Sequence, residues 1–221
     1  MRICNRSLLF SLILLVGLAF GSTSDTIITH FEGYGYEEGG IEYSAPGDVV
    51  HFVARILSIE TGQVDFPYDP DNFEYTLVVT GLVSNGQMVN GNETIIIYNQ
   101  GSLAIYEDDS TPSTWDEYPG FPDAPPSFTD GSLWLSGEFT DFIMLIYWDY
   151  GIGSFEGHVN LSGGSAMPWF TEEGYTFGGE LFPPHIPNLP DGYDFSLDGK
   201  LLVEEPVATF NSSWSSLKAI Y

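Results

Sequence analysis

The chain has 221 residues, 43% of them apolar, with 31 Asp and Glu against five Lys and Arg and a formal net charge of −26. That length suits one domain able to bury a core without crosslinks. No Lys or Arg lies between Arg55 and Lys200, so nothing on that surface could neutralise a phosphate backbone, and neither nucleic acid nor an anionic membrane surface is expected as a partner.

The acids are scattered through every segment, which reads as solubility of an exported protein; attraction of cations or basic partners is the other reading. Residues 1–21 have the pattern of a signal peptide. Arg2 and Arg6 precede an apolar run from Ser7 to Phe20, and Ala19-Phe20-Gly21 supplies small residues for cleavage. The run is shorter than the ~20 residues of a spanning helix. The chain's one cysteine, Cys4, falls inside this segment, so the mature protein has no disulfide and no thiolate ligand. The expected location is secreted, periplasmic or cell-surface.

Short strands fill the domain from 22 to 206. Thr26–Phe31 opens it, and the run from Gly33 to Gly40 that follows is too Gly-rich for a helix. In Val49–Ile59, Val50, Phe52, Ala54 and Ile56 share one face while His51 and Arg55 take the other. Tyr75–Leu82 follows, with hairpin signals at Asn85-Gly86 and Asn90-Gly91. Glu93–Tyr98 and Leu103–Glu107 flank Asn99-Gln100-Gly101. Residues 108–128 hold five prolines and no apolar period, which marks a long surface loop.

A strand starting near Gly131 and a second over Phe142–Trp148 come next, the latter apolar on both faces and therefore expected to be buried on both. Ser154–Leu161, Tyr175–Leu181, Tyr193–Leu197 and Leu201–Glu204 complete about eleven strands, the last two read as a pair about Asp198-Gly199. Glycine-led strand starts at Gly101, Gly131, Gly153, Gly179 and Gly199 have no fixed period, so a repeat architecture is not indicated. The expected fold is all-β: an antiparallel β-sandwich of about eleven short strands, with a β-barrel as the alternative. The tail 207–221 leaves the pattern, and Trp214, Leu217 and Ile220 space as one face of a short helix.

Chemistry is sparsely signalled. Asp69, Asp71 and Glu74 fail the EF-hand spacing, leaving at most a looser calcium site. Glu107, Asp108, Asp109, Asp116 and Glu117 on the proline-rich loop are the better candidate metal ligands, and calcium is the one cofactor they suggest. His30, His51, His158 and His185 have no zinc spacing. No Gly-x-Ser-x-Gly is present, and carboxylate pairs such as Glu138 and Asp141 are expected by chance among so many acids.

Exposed aromatics beside acids are better motivated. Trp115, Trp148 and Tyr150 are the candidate ligand-binding residues, because flat aromatic faces with nearby hydrogen-bonding groups suit sugar rings. Asn92, Asn160 and Asn211 head Asn-x-Ser/Thr sequons. The expected function is a non-catalytic structural or binding role outside the cell, with glycans or other cell-surface components as partners. A carbohydrate-binding module is the alternative, and a polysaccharide-cleaving enzyme with a carboxylate pair the second.

Overall fold

The structure is a computed structural model and describes residues 27–109, 112–115, 124–170, 174–183 and 189–203. The expected signal segment and the 207–221 tail lie outside them. Among the described residues nine strands run in order: β1 Ile28–Glu37, β2 Pro46–Glu60, β3 Glu74–Asn90, β4 Glu93–Asn99, β5 Ser102–Asp108, β6 Ser132–Tyr147, β7 Ile152–Gly163, β8 Tyr175–Phe182 and β9 Phe195–Val203. Each pairs antiparallel with its sequence neighbour, except that β4 and β5 succeed one another along a single position between β3 and β6. Gln100 and Gly101, both at positive φ, mark the joint between them.

β9 returns to β1, with Ile28 opposite Leu202, which closes the sheet. The all-β expectation therefore holds, in its alternative form: an eight-stranded antiparallel barrel and not a sandwich. The sandwich gives way because closure leaves no free edge and needs no second sheet. The strand count falls from eleven to nine because two pairs of expected strands are each one continuous strand. β6 runs unbroken through Gly137, and Asp198-Gly199 lies inside β9, paired with both β1 and β8. Asn85-Gly86 is an irregularity within β3, while Asn90-Gly91 makes the real hairpin.

Aromatic rings fill the barrel. Phe31, Phe52, Phe142, Phe177 and Phe195 are almost fully buried, and Phe31 stacks on Phe177 at 4.7 Å. Small barrels of this size fill their interior with side chains in this way. Glycines make the space: a Cβ on Gly35 would sit 2.2 Å from the Phe195 ring, and one on Gly199 2.6 Å from Phe31. β1 therefore runs on through Gly33 and Gly35 to Glu37, with Gly35 facing inward where a ring needs room, and Gly39 and Gly40 turn beyond its end at positive φ.

The far end of β3, β5 and β6 is closed by the 61–73 loop. Trp134 Nε1 donates to the Pro67 carbonyl at 2.9 Å, and Phe66 packs edge-on against the Trp134 ring.

Candidate functional site

Three regions bear on chemistry: a plugged barrel mouth, a clasp on the outer wall, and a pocket at two hairpin tips. At the mouth, Glu37 is the last residue of β1 and faces inward. Its Oε1 accepts from Ser44 Oγ at 2.5 Å and its Oε2 from Tyr98 Oη at 3.0 Å. Ser44 Oγ in turn lies 2.6 Å from Ser84 Oγ, and the Glu37 amide donates to Asp194 Oδ2.

Burial raises the Glu37 carboxyl from 4.5 to about 7, opposed by the Ser44 and Tyr98 hydrogen bonds and reinforced by the negative charges of Asp48 and Asp194. Burial also raises the Asp194 carboxyl and pushes the Tyr98 phenol well above its ordinary range. Such a shift is often a mark of catalysis. Here Glu37, Ser44, Ser84 and Tyr98 are all at most 5% exposed, so no substrate atom reaches the carboxyl in this conformation. The cluster is a polar plug with its hydrogen bonds internally satisfied.

The clasp is built from the proline-rich loop. Arg55 Nε donates to Ser113 Oγ at 2.7 Å, its Nη2 to the Ser113 carbonyl, and Glu74 lies 3.3 Å from Nε. Ser113 donates its amide and its hydroxyl to Glu74. The guanidinium sits 4.8 Å from the Trp115 ring centroid, Tyr34 meets that ring edge-on at 4.8 Å, and Phe128 packs on it at 4.7 Å. Trp115 is therefore half-buried between its own neighbours, not a bare stacking platform. An adjoining hollow of about 230 Å³ is lined by Tyr34, Trp115, Glu32, Ser196 and Asp198 among others.

The third region assembles where the β3–β4 and β6–β7 hairpins meet. Register places Glu93 opposite Tyr147. Trp148 donates its amide to the Asn92 carbonyl and its Nε1 to Thr94 Oγ1 at 2.8 Å. Asn92 Nδ2 donates to Asp149 Oδ2. These bonds staple the two turns together. Between them lies a hollow of about 310 Å³ lined by Asn90, Asn92, Glu93, Tyr147, Asp149 and Tyr150. Tyr150 is 81% exposed. Two phenols, two amides and two carboxylates converge there.

The structure thus separates the three expected ligand residues. Tyr150 lines the tip pocket, Trp148 braces it from behind, and Trp115 belongs to the clasp on another wall. Asn90, Asn92, Glu93, Tyr147 and Asp149 escaped the sequence reading. Both turns were visible, but their adjacency depends on β4 pairing with β6.

The acidic candidates are dispersed. Glu107 accepts from Tyr75 Oη at 2.6 Å, Asp108 is buried and Asp109 exposed, and Asp116 and Glu117 lie outside the described residues. Asp69 accepts from Asn72 and Glu74 is engaged by Arg55. Among the described residues no group of three or more His, Cys, Asp or Glu is placed to hold a metal. His158 lies on the outer wall 2.7 Å from Asp141, which occupies half of the Glu138/Asp141 pair. No family model, curated protein or solved structure matches the chain.

Proposed function

We propose that the chain is an exported, non-catalytic binding protein that holds a saccharide at the paired hairpin tips. The observation that carries this reading is Tyr150. A tyrosine so exposed, stapled beside Asn90, Asn92, Glu93 and Asp149, is a flat apolar face ringed by groups that match sugar hydroxyls. The filled interior supports it indirectly, because a barrel packed with phenylalanine leaves its ligands the outer surface. Carboxylates such as Glu32, Glu156, Glu180 and Asp198 project outward from mid-strand, the reverse of the apolar outer band of a membrane-spanning barrel.

A glycan array with the purified chain, followed by calorimetry on any hit, tests the reading. Saccharide binding should weaken about tenfold or more in Tyr150→Ala, in line with the loss of a stacked aromatic anchor, and persist in Trp115→Phe. Silence across the array, or a hit indifferent to Tyr150, would sink it. Export is tested separately by intact mass of the protein recovered outside the cell. Cleavage after Gly21 should leave Ser22 as the first residue; an uncleaved Met1 chain would contradict it.

A further inference from the structure

The outer face from β4 to β9 has no covering segment among the described residues. Ile95 and Ile97 on β4 stand beside Leu145 and Ile143 on β6. Ile97 is 39% and Ile143 41% exposed. Next to them the register aligns Ile143, Glu156, Gly178 and Lys200 in one row across four strands. Gly178 has no side chain, and its position is the floor of a groove of about 480 Å³ whose walls include Ile143, Leu145, Glu156, Lys200 and Leu202.

Lys200 and Arg55 are the two cations of the described residues. Arg55 is taken by Glu74, whereas Lys200 makes no ion pair among the described residues. One face thus presents a protruding carboxylate, Glu156, directly beside a notch bordered by an unengaged ammonium. We infer that this face binds a second copy of the same chain through a two-fold contact. The axis passes between β7 and β8, each Glu156 enters the other copy's Gly178 notch to meet Lys200, and Ile143 on β6 of each copy lies over β9 of the other.

Self-complementarity of this kind is what an isologous interface requires. Elsewhere the acidic surface repels a second copy, so charge confines association to the one face that carries a free cation. Five strands from β4 to β9 at about 4.8 Å spacing give a face roughly 19 Å across, which with strands of this length is on the scale of the ~800 Å² per partner of a stable contact.

Sedimentation equilibrium of the full chain at constant salt is the test. A monomer–dimer equilibrium is expected. Glu156→Lys and Lys200→Glu should each weaken it about tenfold or more, and combining them should restore it, because the swap re-forms the pair with its signs exchanged. Both side chains are exposed, and matching melting curves would show that the variants fold. Gly178→Leu, which fills the notch, should also abolish the dimer. A monomer at every concentration overturns the inference, as does a dimer indifferent to Gly178→Leu or a double swap that restores nothing.

Discussion

Two apolar faces adorn the outside of this barrel, and the chain treats them differently. On β1, β2 and β3, Tyr36, Val53 and Val78 are buried beneath Phe128 and Tyr193, with Tyr34, Trp115, Ala124 and Leu189 packed around them. On β4 and β6, Ile95, Ile97, Ile143 and Leu145 carry no such cover among the described residues. Both faces are the outward half of ordinary alternating strands. What differs is the third layer: residues 112–115, 124–128 and 189–194 lie over the first face and are fixed there by specific bonds. Thr76 Oγ1 donates to the Phe128 carbonyl at 2.9 Å, Arg55 grips Ser113, and the Asp194 amide donates to the Gly35 carbonyl. An outward apolar patch on a closed barrel is thus core on one side and free surface on the other, depending on what lies above it.

Stripping the cover should have the largest effect. Phe128 is fully buried, and Phe128→Ala removes the ring that holds Trp115 and Val53 together. Loss of a buried phenylalanine costs about 3–5 kcal/mol, to be read from urea denaturation, with Trp115 fluorescence shifting toward that of a solvated indole. A loss below about 1 kcal/mol would mean that the cover is decoration.

Where the cover reaches the barrel mouth, Asp194 and Glu37 make stability depend on pH. The Glu37 carboxyl is higher in the folded chain, about 7 against 4.5, so the fold prefers it protonated. Its contribution is fully present below about pH 4.5, fades as the pH rises through 7, and amounts to about 3 kcal/mol. Glu37→Gln keeps the shape and one acceptor oxygen, turns an amide donor toward the other hydroxyl of the Ser44 and Tyr98 pair, and cannot ionise. The variant should therefore gain on the wild type by up to that amount at pH 8 and show a flatter profile between pH 5 and 8. Parallel profiles for the two proteins would contradict this account.

The inner wall was largely legible in the sequence; the outer wall was not. Val50, Phe52, Ala54 and Ile56 could be read as one buried face because a strand's period of two is local, and all four are buried. The run Phe142–Trp148, apolar on both faces, was expected to be buried on both. Phe142, Met144 and Ile146 are buried, but Ile143 is 41% exposed. Alternation cannot say whether a distant loop will lie over the outer residues. The proline-rich loop could be seen to be a loop, yet its destination on β1–β3 rests on Arg55, Ser113 and Glu74 meeting across long sequence separations. The tip pocket was half legible for the same reason. Trp148 and Tyr150 stood out by composition, whereas Asn90, Asn92 and Glu93 join them only through the β4–β6 ladder.

A smaller effect is expected from the clasp. Arg55→Met keeps the aliphatic stem over Trp115 but removes the charge facing Glu74 and the donors to Ser113. Both Arg55 and Glu74 are about a third exposed, so solvent screens the pair and the loss should be about 1–2 kcal/mol. Raising the salt concentration should change wild type and variant by similar amounts, since the hydrogen bonds to Ser113 carry more of the effect than the ion pair. A variant whose deficit vanished in high salt would assign the clasp to charge instead.

The smallest expected change is the sharpest for the comparison. Threonine retains β-branching and strand propensity, so replacing an outward aliphatic residue with it tests burial and little else. On the covered face, Val53 is fully buried, and Val53→Thr places a hydroxyl among Tyr36, Val78 and Phe128, at a cost of about 1–3 kcal/mol if it finds no partner. Ile143→Thr makes a similar change on the open face, where water can serve the hydroxyl, and for the monomer should stay within about 0.5 kcal/mol. Denaturation at protein concentrations too low for self-association isolates that term. If Ile143→Thr proved as costly as Val53→Thr under those conditions, some part of the chain would have to cover β4 and β6 as well. The two faces would then be alike, and the open one would no longer be available to a second copy.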